Sequence, residues 1–509
     1  MLAHCCTAAL CGLEAHPVCV EVDLAPGLPL MQLVGLADAS GREARERLRS
    51  ALRNSGFGVP QTRVVANLAP ADLPKHGAGF DLPLALALLV ASAQLPQQQL
   101  QGIWAIGELA LDGRLLPVQG VLALAAAAAQ AGAKALVLPQ ANAVEAHLVE
   151  ALPVWPADCL ATAVRGLCGA GPWSALPPAP PEPSLPPLPD LAAVSGQRHG
   201  RRSLELAAAG GHHLLLIGPP GCGKTLLARC LPGLLPPLTR PQALLASQIH
   251  SLAGLRPAGS GLLQAPPLRM PHHGCSAAAL VGGGCAPRPG EVSLAHHGVL
   301  FLDELAEFKP AVLDQLRQPL EQGEILLARA QRVLHLPARV QLVAATNPCP
   351  CGWWGDPQGG CRCGEQRRRQ YWSRLSGPLL DRIALQVVLS SAQAEPLQPL
   401  PVEAANESSA QVAERVQLAR ERMAARNPGG AANGALDFEQ LRPLLQLSQD
   451  AQSWWRQLPP GLGLSSRAQA AVFTVARTAA DLEASARIDV RHLAEALSYR
   501  GLDRSVAAP

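Results

Sequence analysis

Apolar and polar positions alternate in short runs through the first third of the chain. HPVCVEVDLA (16–25) and QLVGLA (32–37) alternate as half-buried strands, and RVVANLAP (63–70) predicts another. GREARERLRSALRNSG (41–56) sets Ala44, Leu48 and Leu52 on one stripe with five arginines elsewhere, an amphipathic helix ended by Gly56. DLPLALALLVASAQL (81–95) predicts a buried helix. Past residue 190 the pattern changes. HLLLIG (213–218), GVLFLDE (298–304), VQLVAATN (340–347) and ALQVVL (384–389) are short apolar runs with helical segments between them. Such runs suit strands buried on both faces of a parallel sheet, so this part reads as a three-layer α/β domain. From about Glu403 the chain turns helical, most clearly in ESSAQVAERVQLARERMAARN and SRAQAAVFTVARTAADLEA.

A length of 509 residues suggests about three domains. A 48% hydrophobic content excludes wholesale disorder. Proline, at 48 residues, is nearly twice its usual share of about 5%. Nine prolines fall in the twenty positions 171–190, GPWSALPPAPPEPSLPPLPD, an extended linker between an N-terminal unit and the rest. The 42 basic against 39 acidic residues exclude a polybasic tail or a highly acidic binder, so any nucleic-acid contact must come from local charge. MLAHCCTAALCGLEAH is a poor signal peptide. The longest apolar run, Leu82 to Ala93, falls short of the roughly 20 residues of a membrane helix. The expectation is a soluble, cytoplasmic protein without membrane contact. Ten of the fourteen cysteines are scattered and read as small core residues. The other four need a separate reason.

The segment Gly218-Pro219-Pro220-Gly221-Cys222-Gly223-Lys224-Thr225 matches G-x-x-x-x-G-K-[ST] between an expected strand and helix, the context of a P-loop. Its backbone amides and the helix start would bind phosphate oxygens, Lys224 would reach the β- and γ-phosphates, and Thr225 would ligate Mg²⁺. The competing reading is a chance glycine-rich turn. The run ending in Asp303 and Glu304 delivers two carboxylates to a strand end, Asp303 for the Mg²⁺ and Glu304 as general base toward water. On its own it would read as an ordinary strand end. Asn347 closes another apolar run and can orient the attacking water, unless it merely turns the chain before Pro348. Arg382 can stabilise transition-state charge as an arginine finger, against the alternative of a surface salt bridge at Asp381.

Together these residues resemble an AAA+ ATPase, and the wording goes further. VGLADASGREARERLRSALRNSG, AAAGGHHLLLIGPPGCGKT, MPHHGCSAAALVGGG, PGEVSLAHHGVLFLDELAEF and RLSGPLLDRI resemble the ComM/YifB family, the magnesium-chelatase-like branch of AAA+ proteins, over essentially the whole chain. The fold implied is α/β: a P-loop AAA+ three-layer sandwich with a C-terminal helical lid, preceded by a Lon-protease-like α+β domain. The implied segments are 1–170, 171–190 as linker, 191–400 as ATPase core and 401–509 as lid. The resemblance places Val194, Gly196 and Gln197 near adenine, Asn347 as sensor 1, Arg382 as the finger reaching a neighbouring subunit and Arg467 as sensor 2. It implies ATP and Mg²⁺ as cofactors, a homo-hexameric ring, single-stranded, branched or junction DNA as partner together with recombination proteins, and branch migration of recombination intermediates as in natural transformation. The alternative is a chelatase-type motor or regulatory ATPase that remodels a protein partner.

Three further features follow. GEILLARAQRVLHLPAR reads as two strands and a turn; in related ring motors such a hairpin points into the channel, and the resemblance matches Arg329, with Arg332 as a second candidate, to DNA-phosphate contacts. A solvated hairpin is the alternative. Cys349, Cys351, Cys361 and Cys363 form two C-x-C pairs around a glycine-rich loop and suit tetrahedral Zn²⁺, as a structural clip beside Arg367, Arg368 and Arg369. Free or redox thiols are the other reading. IGELALDGRLLPVQGVLALAAAAAQAGAKALVLP resembles the second half of the Lon-protease domain, but Asp81 and Leu122 stand near the places of its nucleophilic serine and lysine, which implies no protease activity. The arginines at 42, 45, 47, 49 and 53 are a candidate DNA face or a solvated one.

Overall fold

A computed structural model describes residues 2–35, 38–73, 75, 77–178, 188–256, 260–284, 288–329, 332–356, 359–390, 406–459 and 464–501. The chain divides into two compact units. The first comprises Met1–Ser184, Ala243–Leu263 and Leu327–Leu336, the second Leu185–Gln242, Gln264–Leu326 and Pro337–Pro509.

In the first unit a seven-stranded sheet is built from β1 (Ala3–Cys11), β2 (Glu14–Ala25), β3 (Leu30–Val34), β4 (Arg63–Ala69), β5 (Ile103–Ala105), β6 (Ala135–Pro139) and β7 (Val154–Ala157). The spatial order is β3-β4-β2-β1-β5-β6-β7. The pairs β1–β2 and β2–β4 are antiparallel and the others parallel. Helices α1 (Asp38–Asn54), α2 (Asp81–Ala91), α3 (Val121–Gln130) and α4 (Leu160–Leu167) are among those that pack on it. Every residue of α2 is buried. Cys5 and Ala9 of β1 join the α2 core, while Ala8, on the other face, packs with Val121 and Leu124 of α3. A strand covered on both faces carries no alternation, which is why AHCCTAALC gave no strand signal.

The stripe of α1 is buried as its spacing requires: Ala44, Leu48 and Leu52 are all within 3% of full burial. Its arginines do not form one free face. Arg47 Nε donates to Asp81 Oδ2 at 2.8 Å and Nη2 to Oδ1 at 3.2 Å, and Arg45 Nη1 donates to the carbonyl of Met31. The expectation that the scattered cysteines are core residues holds for Cys5, Cys222 and Cys230 and is corrected for the rest that are described. Cys168 is exposed, and Cys6, Cys11, Cys19, Cys159 and Cys275 are half-buried. Cys285 lies outside the described residues. So do residues 179–187 of the linker; its described beginning lies on this unit, with Trp173 stacked on Trp155 at 5.0 Å.

The hairpin of Glu324–Arg329 and Arg332–Pro337 forms as expected from the sequence. Its tip, Leu327–Leu336, packs within the first unit, and Leu334 lies against Gly12 so closely that a Cβ there would stand 3.3 Å from Cδ2. The side chains of Arg329 and Arg332 lie outside the described residues.

The second unit is organised on five parallel strands, β8 (Leu214–Ile217), β9 (Leu268–Arg269), β10 (Val299–Leu302), β11 (Gln341–Thr346) and β12 (Leu385–Val388), in the order β9-β10-β11-β8-β12. Each of the four apolar runs of the sequence contains one; β9 was not foreseen. LLLI, VLFL and QLVAAT are buried throughout, as strands sandwiched between helical layers must be. Around them lie α5 (Arg198–Gly210), α6 (Lys224–Cys230), α7 (Glu365–Trp372), α8 (Ser409–Arg426), α9 (Gln449–Gln457), α10 (Ser466–Leu482) and α11 (Val490–Ser498). Ser408 and Gln411 close a capping box at the start of α8.

The C-terminal helices are tied to the sheet by buried polar side chains as well as apolar ones. His212, just before β8, contacts Thr478 Oγ1 of α10 at 2.8 Å; Asn433 donates to the same hydroxyl and to Asp481, and Arg426 and Arg477 also pair with Asp481. Leaving any member unpaired would expose the full desolvation cost of the others. Among the described residues no helix is long and apolar enough to cross a membrane.

Candidate nucleotide site

The turn from β8 into α6 needs glycine at two left-handed positions, Gly221 at φ +78° and Gly223 at φ +92°. Gly218 is constrained by space instead: a Cβ there would stand 2.7 Å from Cys222 Sγ and 2.9 Å from the carbonyl of Leu389. The turn wraps around the ammonium of Lys224. Its Nζ donates to the carbonyls of Gly218 (2.7 Å) and Pro219 (2.9 Å) and to Oδ1 of Asn347 (3.1 Å). Burial pulls the Lys224 pKa below its ordinary value. Thr225 Oγ1 donates to Asp303 Oδ2 at 2.9 Å. Thus Lys224 and Thr225, at a helix start, are brought together with Asp303 and Asn347, at the ends of two neighbouring strands.

Glu304 follows Asp303 in a left-handed conformation, φ +52° and ψ +48°, uncommon for a residue with a Cβ and found where surroundings impose it. Its N–H donates to Asp303 Oδ1, and its Oε2 lies 3.2 Å from His273 Nδ1. His273 is tilted against His272 and edge-on to Phe308. MPHHGCS stood out in the sequence, but nothing local assigned its second histidine to this carboxylate.

Val194 is buried, and its carbonyl accepts from Asn406 Nδ2 at 3.0 Å. Gly196 and Gln197 are both left-handed. Gln197 Nε2 donates to the carbonyls of Cys222 and Ser390, joining this segment to the turn and to the end of β12. A cavity of about 520 Å³ opens here, lined among others by Gln197, His199, Pro219, Trp354, Asp356 and Ser390.

Arg382 and Arg467 are brought together, but on a carboxylate that the sequence did not single out. Arg382 Nη2 donates to one oxygen of Glu321 and Arg467 Nη2 to the other, both at 2.6 Å. Neither arginine lines the cavity. The two guanidinium groups hold the Glu321 carboxyl below its ordinary pKa.

The Sγ atoms of Cys349, Cys351, Cys361 and Cys363 all lie within 4.8 Å of one another, with 3.3 Å from Cys349 to Cys351, 3.8 Å from Cys349 to Cys361 and 3.6 Å from Cys351 to Cys361. A Zn–S bond of about 2.3 Å puts tetrahedral sulfurs about 3.8 Å apart. The set therefore fits a thiolate-bound Zn²⁺. The oxygens of Thr225 and Asp303 in turn suit a hard cation such as Mg²⁺.

In the first unit, Asp81 is held in an ion pair. It is 1% exposed, bound by Arg47 and by the amide of Leu109, and burial raises its pKa. Leu122 is buried in α3.

Three family profiles match the chain: "Magnesium chelatase, subunit ChlI" over residues 190–397, "Subunit ChlI of Mg-chelatase" over 20–142, and "Magnesium chelatase, subunit ChlI C-terminal" over 406–500. The protein YifB of Salmonella typhimurium is 43% identical over 98% of this chain and 97% of its own. The competence protein ComM of Haemophilus influenzae is 42% identical over 97% of this chain and 96% of its own. Lon protease 2 of Thermus thermophilus is 32% identical over 130 residues, 24% of this chain and 16% of its own. With similarity of this degree running along nearly its whole length, the chain belongs to the ComM/YifB family of magnesium-chelatase-like AAA+ proteins.

Proposed function

We propose that this chain is a Mg²⁺-dependent ATPase that works as a hexameric DNA translocase and drives branch migration of recombination intermediates. The observation that carries the ATPase part is the convergence of Lys224, Asn347, Thr225 and Asp303 at the strand ends of one parallel sheet. Residues Gly218–Gly223 cradle phosphates with their amides, and Lys224 exchanges its carbonyl partners for the β- and γ-phosphates. Thr225 and Asp303 hold Mg²⁺, which supplies charge neutralisation on the phosphates. Glu304 draws a proton from the attacking water, and Asn347 orients that water. Arg382 acts on the site of a neighbouring copy, which makes a ring necessary, and Arg467 acts from the helical lid, residues 401–509. Val194, Gly196 and Gln197 border the base.

The DNA part is supported by 42% identity to a protein named for competence. Arg329 and Arg332 are its proposed phosphate contacts, sequence-independent and salt-sensitive. Residues 1–170 serve as a non-proteolytic Lon-like domain, joined through 171–190 to the motor core of 191–400. The four-cysteine cluster is a structural Zn²⁺ site. A chelatase-type motor acting on a protein partner is the second reading, favoured by the chelatase profiles over all three segments.

Branch migration of a synthetic Holliday junction by the wild type and by Lys224→Ala separates these readings. ATP-dependent movement by the wild type alone supports the translocase. No movement, together with an ATPase rate indifferent to DNA, rules it out.

A further inference from the structure

The cysteine cluster and the phosphate-binding turn touch. Gly352, one residue past Cys351, sits at φ +85°, and a Cβ on it would stand 2.6 Å from Cδ of Pro220, so no side chain fits. From this contact the chain runs through Trp353, Trp354, Gly355 and Asp356 before returning to Cys361. Trp354, Gly355 and Asp356 form one wall of the 520 Å³ cavity, facing Gln197, Gly218 and Ser390 on the others. The Arg368 guanidinium lies 5.2 Å from the Trp354 ring centroid and is itself anchored on the carbonyl of Cys363 at 2.8 Å. Trp353 packs against the returning chain, where a Cβ on Gly359 would stand 2.5 Å from its ring. The loop is thus gripped by thiols at both ends and by Pro220 near its start.

Arg368 lies over the Trp354 ring, yet 40% of the residue stays exposed at the cavity wall. A cavity of this size with an aromatic wall, set against a turn shaped for phosphates, suits the planar base of a nucleoside triphosphate. We propose that Trp354 is the surface on which the nucleotide base rests, and that a metal ion held by Cys349, Cys351, Cys361 and Cys363 keeps it there. This rests on the reading of Gly218–Thr225 as an ATP-binding turn. Metal content then sets nucleotide affinity, through the base and not through the phosphates.

The test is displacement of mant-ATP from the full-length protein by ATP and by inorganic tripolyphosphate, which has no base. Trp354→Ala weakens ATP about tenfold and leaves tripolyphosphate unchanged, while Trp354→Phe restores ATP to within about twofold. Stripping metal with a zinc chelator, followed by fresh Mg²⁺, weakens ATP about tenfold in the wild type and adds nothing in Trp354→Ala, since both remove the same contact. Unchanged ATP affinity in Trp354→Ala, with binding abolished in Lys224→Ala, overturns the base wall and leaves the ATP-binding turn standing. Undiminished ATP binding by Lys224→Ala overturns the turn itself. A purified protein without metal, or a chelator effect as large in Trp354→Ala as in the wild type, overturns the metal link.

Discussion

Arg382 is bound to Glu321, Nη2 to Oε2 at 2.6 Å, and only 12% of its side chain is exposed. The other oxygen of the same carboxylate holds Arg467. In a single copy, both arginines proposed to act on phosphate are therefore engaged elsewhere, and each must leave Glu321 to reach a nucleotide. With its carboxylate half exposed to solvent, such a pair contributes about 0.2–1 kcal/mol. Glu321→Gln should accordingly raise ATPase kcat about two- to fivefold, with ATP affinity unchanged. Arg382→Ala should lower kcat by about a thousandfold, as loss of an arginine finger does. Because the arginines keep the Glu321 pKa depressed, the pair is intact at any pH above the ordinary carboxylate range and is lost only as pH falls below it. Steady-state rates at protein concentrations that support assembly check all of this, and a Glu321→Gln rate equal to wild type removes the restraint.

His273 holds the proposed general base by a different contact, at 3.2 Å from Glu304 Oε2. The backbone of Glu304 is left-handed in the turn after β10, a conformation that a residue with a Cβ adopts only where its surroundings impose it. Among the described residues, His273 is the side chain that meets its carboxylate. His273→Ala should lower kcat about tenfold with little change in KM, since the carboxylate remains but its direction is lost. His273→Asn, which keeps a donor, should recover part of the rate. Glu304→Gln should remove hydrolysis and leave ATP binding in place, measured by equilibrium binding against single-turnover hydrolysis.

What was legible in the sequence is what local pattern encodes. The glycines of 218–223 are demanded by backbone angles, and the buried strands by unbroken apolar runs, so both could be read from neighbouring residues alone. What was not legible depends on partners far apart in the chain. Glu321 meets Arg382 and Arg467 across 61 and 146 positions, and Arg47 meets Asp81 across 34. β1 was missed because a strand covered on both faces carries no period, and β9 because two residues carry none. The placing of Leu334 against Gly12 is likewise a tertiary fact, with no trace in the alternation of the hairpin.

The Arg47–Asp81 pair should be a stability element of the first unit. Asp81 is buried, and Arg47 covers both of its oxygens. Removing the cation alone leaves a buried charge uncompensated, at a cost of about 3–5 kcal/mol. Arg47→Ala should therefore destabilise strongly, whereas Arg47→Met with Asp81→Leu should recover much of the loss. Denaturant midpoints followed by a probe in the first unit check this. A double variant no better than Arg47→Ala would show that the packing, not the unpaired carboxylate, sets the cost.

His212 and His296 make the second unit sensitive to acid. Both are almost fully buried, and burial pushes each pKa from 6.5 down to about 3. His296 Nδ1 accepts the N–H of Arg339 at 3.0 Å, a bond that protonation at that nitrogen would break. Between about pH 6.5 and pH 3 the unfolded chain binds protons that the folded chain refuses, so stability falls as pH falls. Each histidine adds a slope of up to about 1.4 kcal/mol per pH unit. His296→Asn keeps an oxygen where Nδ1 accepts but has no titrating group. It should lose some stability at pH 8 and lose less than the wild type on going from pH 6.5 to 4.5. Urea midpoints across that range give the comparison, and parallel curves for the two proteins would mean that His296 takes up its proton without unfolding.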